Sequence, residues 1–560
     1  MNPLSTFKDK KENEIKYTDY YAQKYSINNI TPNQPMIQCE EIKGKNKVPQ
    51  LYYLIPSLCN VTGLTNQQRA DFNLMKKLAE ITKPKAGSRI QQATIFIKSL
   101  KKDAAQTMND WNIDIQETPL SIKFKQLDPE AILMNKGQKQ INILSANLDR
   151  DTQTVMYQQT PLNDWAFLYS DRDKQVFDNL LNMFQECLKF YQYPAKPPIT
   201  IPIQSRNAND WINALAKAPD NVQMVILLLP GKKKQGQYYD DIKRFLINIK
   251  PIPSQVILTS TASNQKGLRT VVNKLLIQIC AKTGGVPWAV SNMPFNNVPT
   301  MIVGIDVYHN IPGKKESIFA FVCTVDKDFS KYYSNSHNLP SGQEITQYLN
   351  GVFSIGLQEF KKDNGVYPFQ IIIFRDGVGE GQFKTIIETE MAQIQQACKN
   401  LTKNQDIKYC MIIVNKRSTA KFYEVNESGI QSAQNTPQGS LIEDVVTRGK
   451  DDYFIVSQKA AQGTATPTHY HILYNNFISD IDKDNNIQVY LDFKRNLQIL
   501  TFKMTFLYYN FSGAIKEPSP IRYAHVLSNF VGDRYNPRQG QNTLIQAHSK
   551  YESLRSLYFI

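Results

Sequence analysis

Apolar residues in this chain fall into two patterns, and their order predicts its architecture. Three runs, NVQMVILLLP (221–230), TMIVGID (300–306) and FQIIIFRD (369–376), are almost uninterrupted. Runs that short and that apolar suit strands covered on both faces. Helical spacing replaces them in YYDDIKRFLINI (238–249) and in GLRTVVNKLLIQICAKTGG (267–285), where glycine closes the helix, while SQVILTS (254–260) returns to strand. From residue 165 to 295 this alternation predicts a βαβα, Rossmann-like domain. From 296 to 560, TMIVGIDVYH, SIFAFVCTVD, a third strand, a helix from Glu344 and the strand ending at Asp376 predict a second α/β domain. The fold class is therefore α/β.

Residues 65–164, ahead of these domains, read as a linker region. Residues 66–102 favour helix, with Phe72, Met75, Leu78 and Ile81 at helical spacing. KPKAG (83–87) interrupts them, a second helical run ends at LKKD, and extended segments lead to Asp164. The first 64 residues, with DYYAQKYSINNITPNQPMIQCEE and VPQLYYLIPSLCNVTGL, read as short strands broken by turns. Nothing repeats at a fixed period.

Composition narrows the partner. A chain of 560 residues is long enough for several domains. The 65 Lys and Arg against 50 Asp and Glu leave a net charge of +15. That balance favours an anionic partner through counterion release, although charge alone does not single out nucleic acid. Seven cysteines form no CxxC pair and no cluster with histidine at zinc spacing. Neither a disulfide framework nor structural zinc is expected, and a reducing compartment is. MNPLSTFKDKKENEIKY has no apolar segment suited to a signal peptide, and no stretch approaches the roughly 18 apolar residues of a membrane span. A soluble protein of the cytoplasm, the nucleus or both is expected, with no membrane partner; LPGKKK is too short a basic run to choose between them. PGKKK is no phosphate-binding loop, since GxxxxGK[ST] is missing, and DGVGEG lacks the GxGxxG register.

Two of the apolar strands end on aspartates: Asp306 in GIDVYHN (304–310) and Asp376 in FRDGVGEGQ (374–382). Either one alone, beside glycine, reads as an ordinary turn. Two carboxylates delivered by strand ends are also what a divalent metal needs over a phosphodiester. MIVGIDVYHN and FRDGVGEGQ together resemble the two signature segments of the Piwi branch of the Argonaute family, in the family's order and at a similar separation. The resemblance implies an RNase H-like fold for 296–560, both aspartates as metal ligands, and Mg²⁺ (or Mn²⁺) as the ion. It implies Glu344 in NLPSGQEITQYL as a glutamate inserted beside them, although Ser341 and Glu344 also satisfy a capping box. His525 in SPIRYAHVLSNFVG matches the late fourth member and the third metal ligand. THYHIL offers His469 and His471, whose alternation reads as strand packing rather than a closed metal site. The implied activity is an Mg-dependent, RNA-guided endoribonuclease that hydrolyses its target to a 3′-hydroxyl and a 5′-phosphate. The alternatives are a guide-holding silencing scaffold that does not cut, and a guide-independent RNase H-like nuclease.

The same resemblance makes 165–295 a MID-like domain that grips a guide's 5′-phosphate. Matching positions are Tyr239 and Lys243 in YYDDIKR, Gln255 in PSQVIL and Lys282 in CAKTGG. Tyr239 and Lys243, four apart, share one helix face. Gln278 stands where many Argonautes carry a second lysine. Piwi-branch proteins with a polar residue there enlist a divalent metal and the C-terminal carboxylate, which implies a second ion and a role for Ile560. An apolar tail, SLYFI, that simply packs in the core fits as well. Residues 1–64 resemble the closing half of a PAZ domain, ahead of which family members carry an N-terminal domain and the first half of PAZ. A fragment, or a degenerate module, is expected. Tyr20, Lys24 and Tyr25 match positions at the guide's 3′ end, where aromatic rings stack on an unpaired base and lysine meets phosphate. The implied partners are a small guide RNA, complementary target RNA and silencing cofactors.

Overall fold

A computed structural model describes residues 1–8, 12–43, 48–60, 63–145, 147–204, 207–231, 236–308, 317–339, 346–403, 405–426, 429–449, 451–460, 462–479, 486–534 and 549–560. They form two compact units, Met1–Pro84 and Lys85–Ile560.

The first unit is small. Strands Thr6–Lys8 and Glu14–Lys16 pair antiparallel and lead into the helix Tyr17–Tyr25. The hairpin Ile37–Lys43 and Val48–Leu54 follows, with Ile37 opposite Leu54. The expected helical run from 66 is cut in two. Asp71 accepts hydrogen bonds from the backbone N–H groups of Asn73 and Leu74, so Asn66–Ala70 ends and Phe72–Thr82 starts afresh. Phe72 and Ile81 are 78% and 75% exposed; helical spacing identified the element without deciding its burial. The break after Thr82 is shorter than KPKAG. Ala86 and Gly87 already belong to the helix Ala86–Asp103, because Ala86 is buried and Gly87 lies against the backbone of Gln431.

Within the second unit, four parallel strands lie in the order Ser254–Leu258, Met224–Leu229, Trp165–Ser170, Ile199–Ile203. Met224, Ile226 and Leu228 face a core shared with the helices Lys174–Phe190 and Leu268–Lys282. Val225, Leu227 and Leu229 face Trp211 and Leu215 of Ala208–Ala216 and Ile242 and Leu246 of Gly236–Asn248. Helices on both faces are why this strand carries no polar residue. The sheet is doubly wound, as the alternation predicts.

Nine of the described strands form a second, mixed sheet. Its order is Tyr332–Leu339, Ser317–Thr324, Thr300–Tyr308, Gln370–Asp376, Lys408–Asn415, Thr468–Asn475, Asp452–Val456, Ser440–Ile442, Lys125–Gln126. Thr300–Tyr308 and Gln370–Asp376 are parallel neighbours at its centre. One face, with Met301, Val303, Ile371 and Ile373, is covered by helices Thr346–Asn364 and Ala392–Thr402. The other, with Ile302, Ile372 and Phe374, takes helices Ile487–Met504 and Ser519–Arg534. This is the RNase H-like layout. Among the described residues, no helix is long and apolar enough to cross a membrane.

Candidate functional site

The register of the central strands builds the first site. Ile305 lies opposite Arg375, so Asp306, two residues inside the end of Thr300–Tyr308 rather than at it, and Asp376, the last residue of Gln370–Asp376, stand side by side on one face. Both are nearly buried, at 6% and 8% exposure. The helix Ser519–Arg534 crosses that face and brings His525 to them. Its backbone comes so close that a Cβ on Gly304 would lie 2.2 Å from the carbonyl carbon of Pro520. Gly304 is therefore a close-approach glycine. Gly377, with φ +76°, supplies the turn after Asp376.

His525 Nδ1 lies 2.9 Å from Asp306 Oδ2, and Ser528 donates its hydroxyl to the same oxygen at 3.1 Å. Asn529 Nδ2 lies 3.1 Å from His525 Nε2. Burial alone would raise the Asp306 pKa, but the hydrogen bond and charge of His525, with Lys416 and Ser528, bring it below the ordinary carboxylate value. Oxygen or nitrogen atoms of Asp306, Asp376 and His525 all lie within 4.8 Å of one another. Two carboxylates and an imidazole at that spacing form a donor set that fits a divalent ion. Glu344 lies outside the described residues.

Two further parts of this site had no signal in the sequence. Lys416, just past the strand Lys408–Asn415, places Nζ 2.5 Å from Asp376 Oδ2. Burial would lower the pKa of that ammonium, but Glu517, Asp376 and Asp306 outweigh it and raise it. On the opposite face, Arg375 is held by Glu390 through two bonds of 3.0 and 3.1 Å. The same guanidinium donates to the Asp376 carbonyl at 2.6 Å, which braces the strand end. Glu390 sits in a wide π turn, Ile387–Met391, unreadable from local spacing. His469 and His471 pack in a strand, but they also converge on buried Asp452, whose carboxylate both ring nitrogens approach. Burial raises the Asp452 pKa, and the two histidines hold it well below the usual range.

The second site lies at the edge of the parallel sheet. Lys243 donates to the Ser254 carbonyl at 2.9 Å and to its hydroxyl at 2.7 Å. Lys282 donates to Gln255 Oε1 at 2.7 Å and to the same Ser254 carbonyl at 3.2 Å. Two buried ammonium groups thus meet at one strand residue, an arrangement suited to an anion. Burial pushes the Lys282 pKa down to about 7. Tyr239 is half-buried, with Lys243 Nζ 5.7 Å from its ring centre. Gln278, one turn before Lys282, bonds instead to Asn510. The tail is packed: Leu557, Tyr558 and Phe559 are buried and Ile560 is partly so. Ser556 donates to the Lys282 carbonyl at 2.5 Å, which ties the tail to this pocket. In the first unit, Lys24 donates to the Tyr20 hydroxyl at 2.7 Å and lies 5.2 Å from the Tyr25 ring, so these three residues are together.

A Piwi domain family model matches residues 224–536, and a PAZ domain model matches 1–84. Piwi-like protein 1 of Gallus gallus is 31% identical over 539 residues, covering 95% of this chain and 59% of that protein. Protein argonaute-3 of Drosophila melanogaster is 31% identical over 544 residues, again covering 95% and 59%. The chain thus spans 59% of the length of these two relatives. Among solved structures, that of Drosophila Piwi aligns with a TM-score of 0.73 at 22% identity, covering 100% of this chain and 71% of the other. Kluyveromyces polysporus Argonaute with a guide RNA aligns with a TM-score of 0.71 at 17% identity, covering 97% and 64%. At those identities the structures speak for the fold. With the Piwi model matching over half of its residues and these relatives matching nearly all of it, the chain belongs to the Piwi branch of the Argonaute family.

Proposed function

We propose that this protein holds a 5′-phosphorylated small guide RNA and cleaves complementary target RNA by magnesium-dependent hydrolysis. The observation that carries the reading is the meeting of Asp306, Asp376 and His525, far apart in sequence, within 4.8 Å. A divalent ion held there supplies positive charge to a developing oxyanion and acidifies water. The chain's own groups do the positioning. Ser528 and His525 orient Asp306, and Arg375 fixes the backbone of Asp376. Glu344 is assigned to complete the set.

Lys243, Gln255 and Lys282 are assigned to the guide's 5′-phosphate, with Tyr239 beside them. Gln278 and the Ile560 carboxylate are assigned to a second divalent ion there. Lys282 takes up a proton as the phosphate arrives, because an anion restores the charged form that burial disfavours. Tyr20, Lys24 and Tyr25 are assigned to the guide's 3′ end. Base pairing, not the protein, then reads the target sequence. Complementary target RNA and silencing cofactors are the remaining partners.

The test is cleavage of a labelled complementary RNA by the purified chain loaded with a 5′-phosphorylated guide, with and without Mg²⁺. Cutting opposite the guide's interior, lost in Asp376→Ala, is expected. Tight guide binding without cutting would make the protein a scaffold, and cutting indifferent to guide sequence would overturn guided function.

A further inference from the structure

Glu517 is a buried carboxylate with an unusual place in the molecule. It lies in KEPSP (516–520), directly before the helix that carries His525. The segment is pinned, since Thr468 and Tyr470 donate to the Lys516 carbonyl at 2.8 and 3.2 Å, and Ser457 donates to the Ile515 carbonyl at 2.6 Å. Glu517 is 3% exposed, and its Oε1 makes no hydrogen bond. Two cations approach that oxygen, Lys416 Nζ and Arg522 Nη1, each at 3.6 Å. Leaving a buried carboxylate oxygen without a hydrogen bond is costly. A shift of under about 1 Å by the Lys416 ammonium would bring it to ordinary charge-assisted bonding distance.

Lys416 meanwhile sits on Asp376, at 2.5 Å. An ion taken up by Asp306, Asp376 and His525 must share that carboxylate with the ammonium or displace it. We propose that Glu517 is a positioning residue: it receives Lys416 as a divalent ion binds, so that the lysine gives up Asp376 and keeps a close carboxylate partner. The proposal rests on the metal-site reading above. Its chemistry is an exchange of ion pairs in which no covalent bond changes. Lys416 neutralises Asp376 in one arrangement and Glu517 in the other, and the divalent ion replaces its charge at Asp376.

The test is Mn²⁺ affinity of the full chain by calorimetry, with thermal unfolding in chelator as the check on folding. Glu517→Gln is expected to weaken Mn²⁺ about tenfold, on the scale of one lost charge contact. Lys416→Met is expected to tighten it, because the competitor for Asp376 is gone. In the double variant, Glu517→Gln should have no further effect; Lys416→Gln serves if Lys416→Met does not fold. A weakening by Glu517→Gln that persists without Lys416 would show Glu517 acting directly on the ion, and the proposal would be wrong. An unchanged affinity in Glu517→Gln would also overturn it, while leaving the metal site standing. Absence of Mn²⁺ binding by the unmodified chain, or binding that survives Asp306→Asn, would remove the metal site itself.

Discussion

Replacing Gly304 with alanine tests how the first site is assembled. The added Cβ would lie 2.2 Å from Pro520 C, 2.3 Å from Ile521 N and 2.4 Å from Pro520 O. All three are backbone atoms, so no side chain can turn aside, and the helix Ser519–Arg534 must retreat by about 1 Å to reach ordinary contact. His525 rides on that helix with a 2.9 Å contact to Asp306, and such a retreat takes the pair past hydrogen-bonding distance. Overpacking of this kind costs about 1–3 kcal/mol of stability. A 1 Å displacement in a functional constellation costs about 100-fold in activity. Chemical denaturation and Mn²⁺ calorimetry on one preparation read both effects. Gly351→Ala is the control: its helix is Thr346–Asn364, nothing lies within 4 Å of its built Cβ, and a gain of about 0.5–1 kcal/mol is expected. Wild-type stability and wild-type Mn²⁺ affinity in Gly304→Ala would refute the reasoning.

Other outcomes follow from the same geometry. Arg375→Met strands buried Glu390 and should cost about 3–5 kcal/mol in urea unfolding, most of it recovered in Arg375→Met/Glu390→Met; equal losses in both would mean packing, not charge, sets the cost. Ser528→Ala removes a hydrogen bond to Asp306 and should weaken Mn²⁺ by about tenfold or more with the fold intact, which an unchanged titration would exclude. Lys282 has a folded pKa lowered to about 7, against 10.5 for an ordinary lysine. Between those values the unfolded chain binds more protons, so the free protein should gain stability as pH rises from 7 to 10. Lys282→Met should flatten that rise in melting temperature.

Much of the frame was legible because each element advertises itself locally. A continuous run such as MVILLL in Met224–Leu229 has no polar residue to present to water, so it must be a doubly covered strand. The two aspartates were visible because each follows a strongly apolar run, residues 301–305 before Asp306 and 371–374 shortly before Asp376. His525 was found only through Tyr-Ala-His, since one histidine on a helix announces no partner. Lys416, Glu517 and the Arg375–Glu390 pair were missed: their sequence neighbours are unremarkable, and their chemistry lies in partners from other elements.

Local sequence patterning thus sets the α/β class and the apolar runs that become the central strands, because backbone hydrogen bonding and apolar burial act over a few residues. Tertiary structure alone decided that Asp306 and Asp376 share a face, that a helix more than 200 residues later places His525 2.9 Å from one of them, and that Lys416 is claimed by two carboxylates. Electrostatic contacts depend on distances through space, and only the packed sheet and its crossing helix set those distances.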